Sequence, residues 1–371
     1  MCIPMDLRRG LASIGAAGAL VATGIVATPP AQAAGTIVVA LRDGVLYVQG
    51  NDSANRIRIA KASDGRIAVI ADSHIERRGA VPTVRNVRAI RVSVRGGNDV
   101  VDVRRDLPGA RVLLGDGHDY GFGGSGDDVL RGGNGNDSVS GADGDDLVLG
   151  DAGNDTVLGG RGFDRLQGNA GADDLSIFNG LAHGGAGDDR YLLHAISAGS
   201  SYLGEGPGGG VDTVHFTSLR HGDDTLGVPV TFTLASATKQ RASDSLFVRL
   251  SAPDTFENLF GGEGHDVLTG NALANRVSGG WGDDQLEGGA GTDAFLAGDD
   301  HGVWDPASDG LIAKWFGRDT VVDFDAADMV ELTPSGVVTE GLGTDTVRID
   351  AEWDFGYLTA TGHTFTAEDF G

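Results

Sequence analysis

The chain has 371 residues, 62 of them glycine, with 53 acidic against 28 basic side chains and a formal net charge of −25. Glycine at an average share of about 7% would give roughly 26 in this length, so an ordinary mixed globular composition is excluded. The negative charge argues against nucleic acid and an anionic membrane surface as partners.

Residues 1–33 read as an export signal. Arg8 and Arg9 are followed by an apolar run from Leu11 to Ala27, a break at Pro29 and Pro30, and the small-x-small cleavage site Ala31-Gln32-Ala33. Cleavage there removes the single cysteine, Cys2, so a secreted mature chain has no disulfide to staple it. No later segment is long and apolar enough to span a bilayer as a helix. The Arg pair leaves the export route open between the general and the twin-arginine pathways.

Residues 34–112 alternate apolar and polar in short runs, such as Val45-Leu46-Tyr47-Val48, Arg56-Ile57-Arg58-Ile59-Ala60, Ile67-Ala68-Val69-Ile70 and Ile90-Arg91-Val92-Ser93-Val94. Separated by Gly, Asn and Asp turns, these predict a β-rich cap or a degenerate start of a solenoid. Gly97-Asn98-Asp99-Val100-Val101 looks like a worn copy of the nine-residue unit that recurs from Leu114 onward.

Residues 113–192 contain the strongest signal. From Leu114 to Ser176 the chain divides into seven gapless units of nine: LGDGHDYGF, GGSGDDVLR, GGNGNDSVS, GADGDDLVL, GDAGNDTVL, GGRGFDRLQ and GNAGADDLS. Position four is glycine and position six aspartate in all seven; position eight is apolar in six, from Leu130 to Leu175, the exception being Gly121. After a slip of seven residues, Gly184 to Leu192 completes another unit, GGAGDDRYL. Three-residue strands survive only by stacking on their neighbours, and alternation along a strand turns position eight inward.

Residues 193–256 hold two further strand-like runs, Val228-Pro229-Val230-Thr231-Phe232-Thr233-Leu234 and Leu246-Phe247-Val248-Arg249-Leu250, and read as an insertion. Residues 257–300 resume the period from Gly261 to Leu296. One unit there, GNALANRVS, has Leu273 and Asn275 in place of the glycine and aspartate, so no cation loop of its own is expected. Residues 301–371 suit a terminal cap, with Trp315, Phe316, Phe324, Trp353, Phe355, Tyr357, Phe365 and Phe370 available to cover a last rung.

Aspartate supplies 44 of the acids and glutamate 9. That bias suits short carboxylates held close to a turning backbone, where a hard cation finds oxygen ligands. Residues 114–176 alone carry 13 Asp and 3 Arg. Carboxylates stacked one strand spacing apart repel by about 3 kcal/mol at an effective dielectric of 20, so the stretch needs counter-ions to close.

The nonapeptides resemble the RTX, or haemolysin-type, calcium-binding repeat G-G-x-G-x-D-x-U-x. Gly209-Gly210-Val211-Asp212-Thr213-Val214, Glu257-Asn258-Leu259 and Asp319-Thr320-Val321-Val322-Asp323-Phe324 are similar to segments that flank such repeats. The resemblance implies an all-β fold, a parallel β-roll in two repeat blocks, with two units per turn and several Ca²⁺ ions between stacked loops. The candidate ligands it implies, through carboxylates or backbone carbonyls, are Gly117, Asp119, Gly124, Gly126, Asp128, Gly133, Gly135, Asp137, Asp143, Gly144, Asp146, Gly153, Asp155, Gly162, Asp164 and Asp173. Gly185, Gly187, Asp189, Gly262, Gly264, Asp266, Gly280, Gly282, Asp284 and Asp293 complete the set.

Recognisable catalytic signatures are missing. There is no HExxH and no GxxxxGK, and Gly123-Gly124-Ser125-Gly126-Asp127 fails the nucleophile-elbow pattern at its last position. His118 and His265 stand at position five and are expected to face solvent. The expectation is a non-enzymatic, secreted, calcium-binding protein that folds outside the cell and serves as a structural or surface-interaction module. Its candidate partners beyond the ions are a cell-surface or extracellular glycan or protein. The alternative is an extracellular polysaccharide-active enzyme carried on the same solenoid.

Overall fold

A computed structural model describes residues 36–195, 198–205, 209–217 and 227–297, and beyond these 303–305, 310–312, 318–324, 328–332, 337–340, 346–351, 354–360 and 365. The export signal of residues 1–33 lies outside the described residues. The chain forms two compact units, one ending at Asp189 and one beginning at Arg190. The described residues are β-strands and turns apart from a single 3₁₀ turn, Pro253–Thr255, and no helix among them is long and apolar enough to cross a membrane.

In the first unit the nonapeptide period becomes a parallel β-roll. Strands alternate between two sheets, so each strand pairs with the one two units away. Val129–Asn134 lies between Ala110–Asp116 and Leu147–Ala152, with Leu130 opposite Val112 and Val148. In the other sheet Ser138–Asp143 lies between Tyr120–Gly124 and Thr156–Arg161, with Val139 opposite Gly121 and Val157. Two units make one turn, and the eighth positions stack inward: Leu130, Val139, Val148, Val157 and Leu175 are 0% exposed. Burying each such side chain contributes about 1.5–3 kcal/mol. The strands here run six residues, as in Val129–Asn134 and Ser138–Asp143, longer than the three the period predicts, because the ladder continues into the glycine positions of the next unit. Gly121 is the gap in this row, and the neighbouring side chains of Leu114, Val139 and Leu130 close over it.

The roll extends toward the N-terminus of the unit without the nonapeptide pattern. Ala89–Ser93 pairs in parallel with Ala110–Asp116, and Arg56–Lys61 with Val100–Val103. Antiparallel hairpins, Thr36–Arg42 with Val45–Gln49 and Arg56–Lys61 with Ile67–Ala71, then finish the two sheets. His74–Gly79 covers an outer edge with Arg77, Arg78 and Glu76. Such a charged edge strand discourages further strand addition.

In the second unit the residues between the repeat blocks also form parallel rungs: Gly199–Gly204 on Leu246–Leu250, Thr213–Thr217 on Asn258–Phe260, and Thr231–Thr233 on Val267–Thr269. Leu259, Leu268, Val277, Leu286 and Phe295 point inward within this unit, at 0% exposure. Phe324 packs on Phe295 of the last nonapeptide at 5.8 Å between ring centroids, and Phe365 packs on Phe324 at 5.4 Å. Trp315, Phe316, Trp353 and Phe370 lie outside the described residues.

Candidate metal centres

The loops between strands place the sixth-position aspartates in columns. On one edge of the first unit the backbone N–H of each aspartate donates to Oδ1 of the next: Asp99 to Asp119 at 2.7 Å, Asp119 to Asp137 at 2.8 Å, and Asp137 to Asp155 at 2.7 Å. The column continues from Asp155 to Asp173 at 2.7 Å and from Asp173 to Asp189 at 2.8 Å. On the opposite edge Ala110 donates to Asp128 at 2.6 Å, Asp128 to Asp146 at 2.8 Å and Asp146 to Asp164 at 3.0 Å.

All of these carboxylates are 3% exposed or less. Their second oxygens are the telling atoms. Oδ2 of Asp99, Asp119, Asp128, Asp137, Asp146, Asp155 and Asp164 is buried and has no hydrogen-bond partner. An unsatisfied buried oxygen costs about 1–3 kcal/mol, and more when it is charged. Seven of them in register demand a positive ligand or a proton. The titration behaviour agrees. Burial, partly opposed by the backbone N–H bond, pushes Asp128, Asp137 and Asp146 up to about 7, Asp155 to about 8 and Asp164 to about 6.

The glycines are explained by what crowds them. Gly135 has φ +117°, and a Cβ there would overlap the carbonyl oxygen of Gly117, one turn away. Gly144, Gly153, Gly162 and Gly187 repeat that relation with Gly126, Gly135, Gly144 and Gly171. The fourth-position carbonyls therefore stack beside the carboxylates. Gly126 differs: its φ is not left-handed, and it packs on Gly109. At the first position, a Cβ on Gly132 or Gly150 would overlap Oδ2 of Asp137 or Asp155. Position two is left-handed at Gly124, Gly133 and Gly185, and also at Ala142, Asp151 and Asn169. Asp143, at position three, stands apart from the columns in an ion pair with Arg105 at 3.5 Å.

A second ladder runs outside the first in the opposite sense. Asn136 N–H donates to Nδ1 of His118 at 2.9 Å, Asn154 N–H to Oδ1 of Asn136 at 3.1 Å, and Ala172 N–H to Oδ1 of Asn154 at 3.1 Å. On the other edge Asp145 N–H donates to Oδ1 of Asp127 at 3.0 Å, and Phe163 N–H to Oδ1 of Asp145 at 2.8 Å. In the second unit Asp283 N–H donates to Nδ1 of His265 at 2.8 Å. The histidines at position five are thus rungs of an outer hydrogen-bond ladder as well as exposed residues, because an imidazole nitrogen accepts there as an amide or carboxylate oxygen does.

The second unit repeats the inner column over shorter runs: Val230 N–H to Asp266 Oδ1 at 2.8 Å and Asp266 N–H to Asp284 Oδ1 at 2.7 Å on one edge. On the other edge, Asn275 N–H donates to Asp293 Oδ1 at 2.9 Å, and Asp293 N–H to Asp328 Oδ1 at 3.0 Å. Asp266 also takes the N–H of Gly262 on Oδ2, at 2.8 Å, and burial holds its carboxyl up at about 6. Gly280 and Gly282 are left-handed, at φ +91° and +136°, and would meet the carbonyls of Gly262 and Gly264. Asn275 is satisfied by protein groups: Oδ1 accepts from Asn271 N–H at 2.8 Å, and Nδ2 donates to Glu257 O at 3.0 Å.

Sequence reasoning did not single out Asp99, Asp323 or Asp328 as site residues. Asp99 and Asp328 extend the columns, and Asp323 accepts the N–H groups of Gly288 and Gly289 at 3.0 and 2.8 Å. Spacing hides them: Asp99 precedes Asp119 by 20 residues where the repeat uses 18, and Asp328 follows Asp293 by 35.

Buried carboxylates in register, stacked carbonyls and left-handed glycines define a calcium-binding β-roll. The donor set is all oxygen, as Ca²⁺ requires. The chain carries the RTX calcium-binding nonapeptide repeat in four copies over residues 114–148, 149–176 and 260–295, and these repeats bind several Ca²⁺ ions. No curated protein matches the chain. Among solved structures, the extracellular lipase LipA from Serratia marcescens is similar at 17% identity and a TM-score of 0.22, over 74% of this chain and 44% of that one. The chain thus spans less than half the length of that structure.

Proposed function

We propose that this protein is an exported scaffold whose β-roll closes when Ca²⁺ binds outside the cell, and that it acts as a structural or surface-interaction module. The observation that carries this reading is the row of buried Oδ2 atoms without partners from Asp99 to Asp164. In this reading the sixth-position aspartates of residues 114–192 and 261–296, with the stacked carbonyls of Gly117, Gly135, Gly144, Gly153 and Gly162, hold the ions. Residues 1–33 direct export, 34–112 start the solenoid, 193–256 join the two repeat blocks, and 301–371 cap the end.

Bound calcium supplies positive charge where the protein supplies none. The chain's own part is to orient the carboxylates: each N–H donated to an Oδ1 holds the other oxygen toward the interior of its loop. Binding energy then becomes folding energy. An affinity of about 10⁻⁴–10⁻³ M, typical of extracellular modules, would keep the chain loose in the cell and closed outside it. The test is far-UV circular dichroism and limited proteolysis of the mature chain, titrated with Ca²⁺ from a chelated start. A cooperative gain of β-signal and protease resistance in the mM range is expected. A chelated sample as ordered and as protease-resistant as the saturated one would refute the reading.

A further inference from the structure

The nonapeptides begin at Leu114, but the carboxylate column begins a turn earlier. Asp99 is 0% exposed, its Oδ2 is buried without a partner, and its N–H meets Oδ1 of Asp119 at 2.7 Å. Gly97 stands to Gly117 as Gly117 stands to Gly135: a Cβ on the later residue would overlap the carbonyl oxygen of the earlier. The outer ladder reaches the same loop, His118 N–H donating to Oδ1 of Asn98 at 3.1 Å. Val94 and Leu114, both buried, occupy the first position where later loops have glycine. The first-position glycine is therefore lost while Gly97, Asp99 and Val101 keep positions four, six and eight and the rest of the loop geometry persists.

On its far side Asp99 meets a different loop, Gly50–Asn55. Asn55 is 2% exposed, and its N–H and Nδ2 both donate to Oδ1 of Asp99, at 2.6 and 2.9 Å. Nδ2 also donates to the carbonyls of Asn51 and Ser53. The loop Gly270–Asn275 places its amide donors in the same way, with Nδ2 of Asn275 donating to Glu257 O at 3.0 Å and to Asn271 Oδ1 at 3.1 Å; its Oδ1 accepts from Asn271 N–H at 2.8 Å, whereas Oδ1 of Asn55 is buried without a partner. The two share G-N-x-x-A-N-R followed by an apolar residue, Ile57 or Val277. In both, an amide donor points at the oxygens that a cation would otherwise gather.

We propose that the first unit holds one further divalent cation, between Asp99 and Asp119, and that the carboxamide of Asn55 ends the column there. Two buried carboxylates and the carbonyls of Gly97 and Gly117 offer a hard cation oxygen ligands. An amide N–H cannot ligate it. The inference rests on the calcium reading of the repeats themselves.

Calcium stoichiometry of the mature full-length chain, measured by calorimetry and native mass spectrometry with CaCl₂ alone, tests it. Asp99→Asn keeps the Oδ1 acceptor and is expected to bind one ion fewer, while Asp137→Asn, inside the repeats, loses at least one. Asn55→Asp is expected to bind one more. An unchanged count for Asp99→Asn beside a reduced count for Asp137→Asn overturns this inference alone; unchanged counts for both overturn the reading beneath it. Should Asp99→Asn fail to fold, Asn55→Asp decides: a gained ion supports the column end at Asn55, and an unchanged count overturns it.

Discussion

Replacing Asp137 by asparagine separates the two jobs of its carboxylate. Oδ1 accepts the N–H of Asp119 at 2.8 Å, and the backbone N–H of residue 137 donates to Asp155 at 2.7 Å; an asparagine keeps both bonds. Only the partnerless Oδ2 is lost as an anion. An ion bound by the folded state alone adds about 2.7 kcal/mol at a free concentration 100 times its Kd. Residue 137 faces Asp119 on one side and Asp155 on the other, so one or two ions are at stake, about 3–5 kcal/mol. For a unit of this size that corresponds to a fall in Tm on the order of 5–20 °C in calcium. Without calcium the sign reverses. Burial has pushed the Asp137 carboxyl up to about 7, so at pH 7.4 the wild type keeps a partly ionised, unpaired group that asparagine removes. Thermal unfolding in 10 mM CaCl₂ and in EGTA reads both arms. A variant destabilised equally in the two buffers would show that Asp137 matters only for packing, and the ion column would lose its support.

Other perturbations probe other parts of the roll. Gly135→Ala forces a side chain into a left-handed residue and onto the Gly117 carbonyl; strain of about 1–3 kcal/mol should raise the calcium midpoint, and an unaltered titration would contradict the stacked-carbonyl geometry. Leu130→Ala removes a 0% exposed core side chain and should cost about 2–5 kcal/mol in chemical denaturation, with far less loss for the exposed Leu181→Ala. The pH response follows from the raised carboxyls. A group more acidic unfolded than folded stabilises the fold below its unfolded value, about 4. That contribution is lost as pH climbs through the folded values of about 6 to 8 at Asp164, Asp137 and Asp155. The chelated roll should thus be more compact at pH 5 than at pH 8, while calcium, which must displace those protons, should need a higher midpoint at pH 5.5 than at pH 8. A midpoint independent of pH would argue against these carboxylates as ligands.

Much of the roll was legible because one period encodes three constraints at once. Glycine at position four, aspartate at six and an apolar residue at eight each reappear in space as a stacked carbonyl, a buried carboxylate and a core side chain, as Gly135, Asp137 and Val139 illustrate. The rungs at 199–204 and 246–250 were not legible as rungs, since their pairing bridges more than forty residues. Asp99 was legible as part of a worn unit but not as a ligand, because two extra residues break its phase, and the outer ladder was hidden because His118 accepts a hydrogen bond as readily as Asn136 or Asn154 does. Spacing reports what repeats; it is blind to a contact made once.

The opposed ladders bear on how such a roll grows. Each inner carboxylate accepts from the rung before it, and each fifth-position acceptor takes its bond from the rung after it. A new turn therefore docks with hydrogen bonds of both senses already available, and the neighbour terms that stabilise a solenoid do not need the ion to set register. What they leave unanswered is the charge. Without Ca²⁺ the turns from Asp99 to Asp164 bury successive carboxylates whose second oxygens have no partner, as at Asp137 and Asp155, so growth through them becomes less favourable with length. With Ca²⁺ each turn brings its own neutralisation, and length becomes stabilising. Asn55 suits the origin of that growth: its rung is closed by an amide, lies next to hairpins that need no cation, and presents the N–H on which the first carboxylate, Asp99, is set.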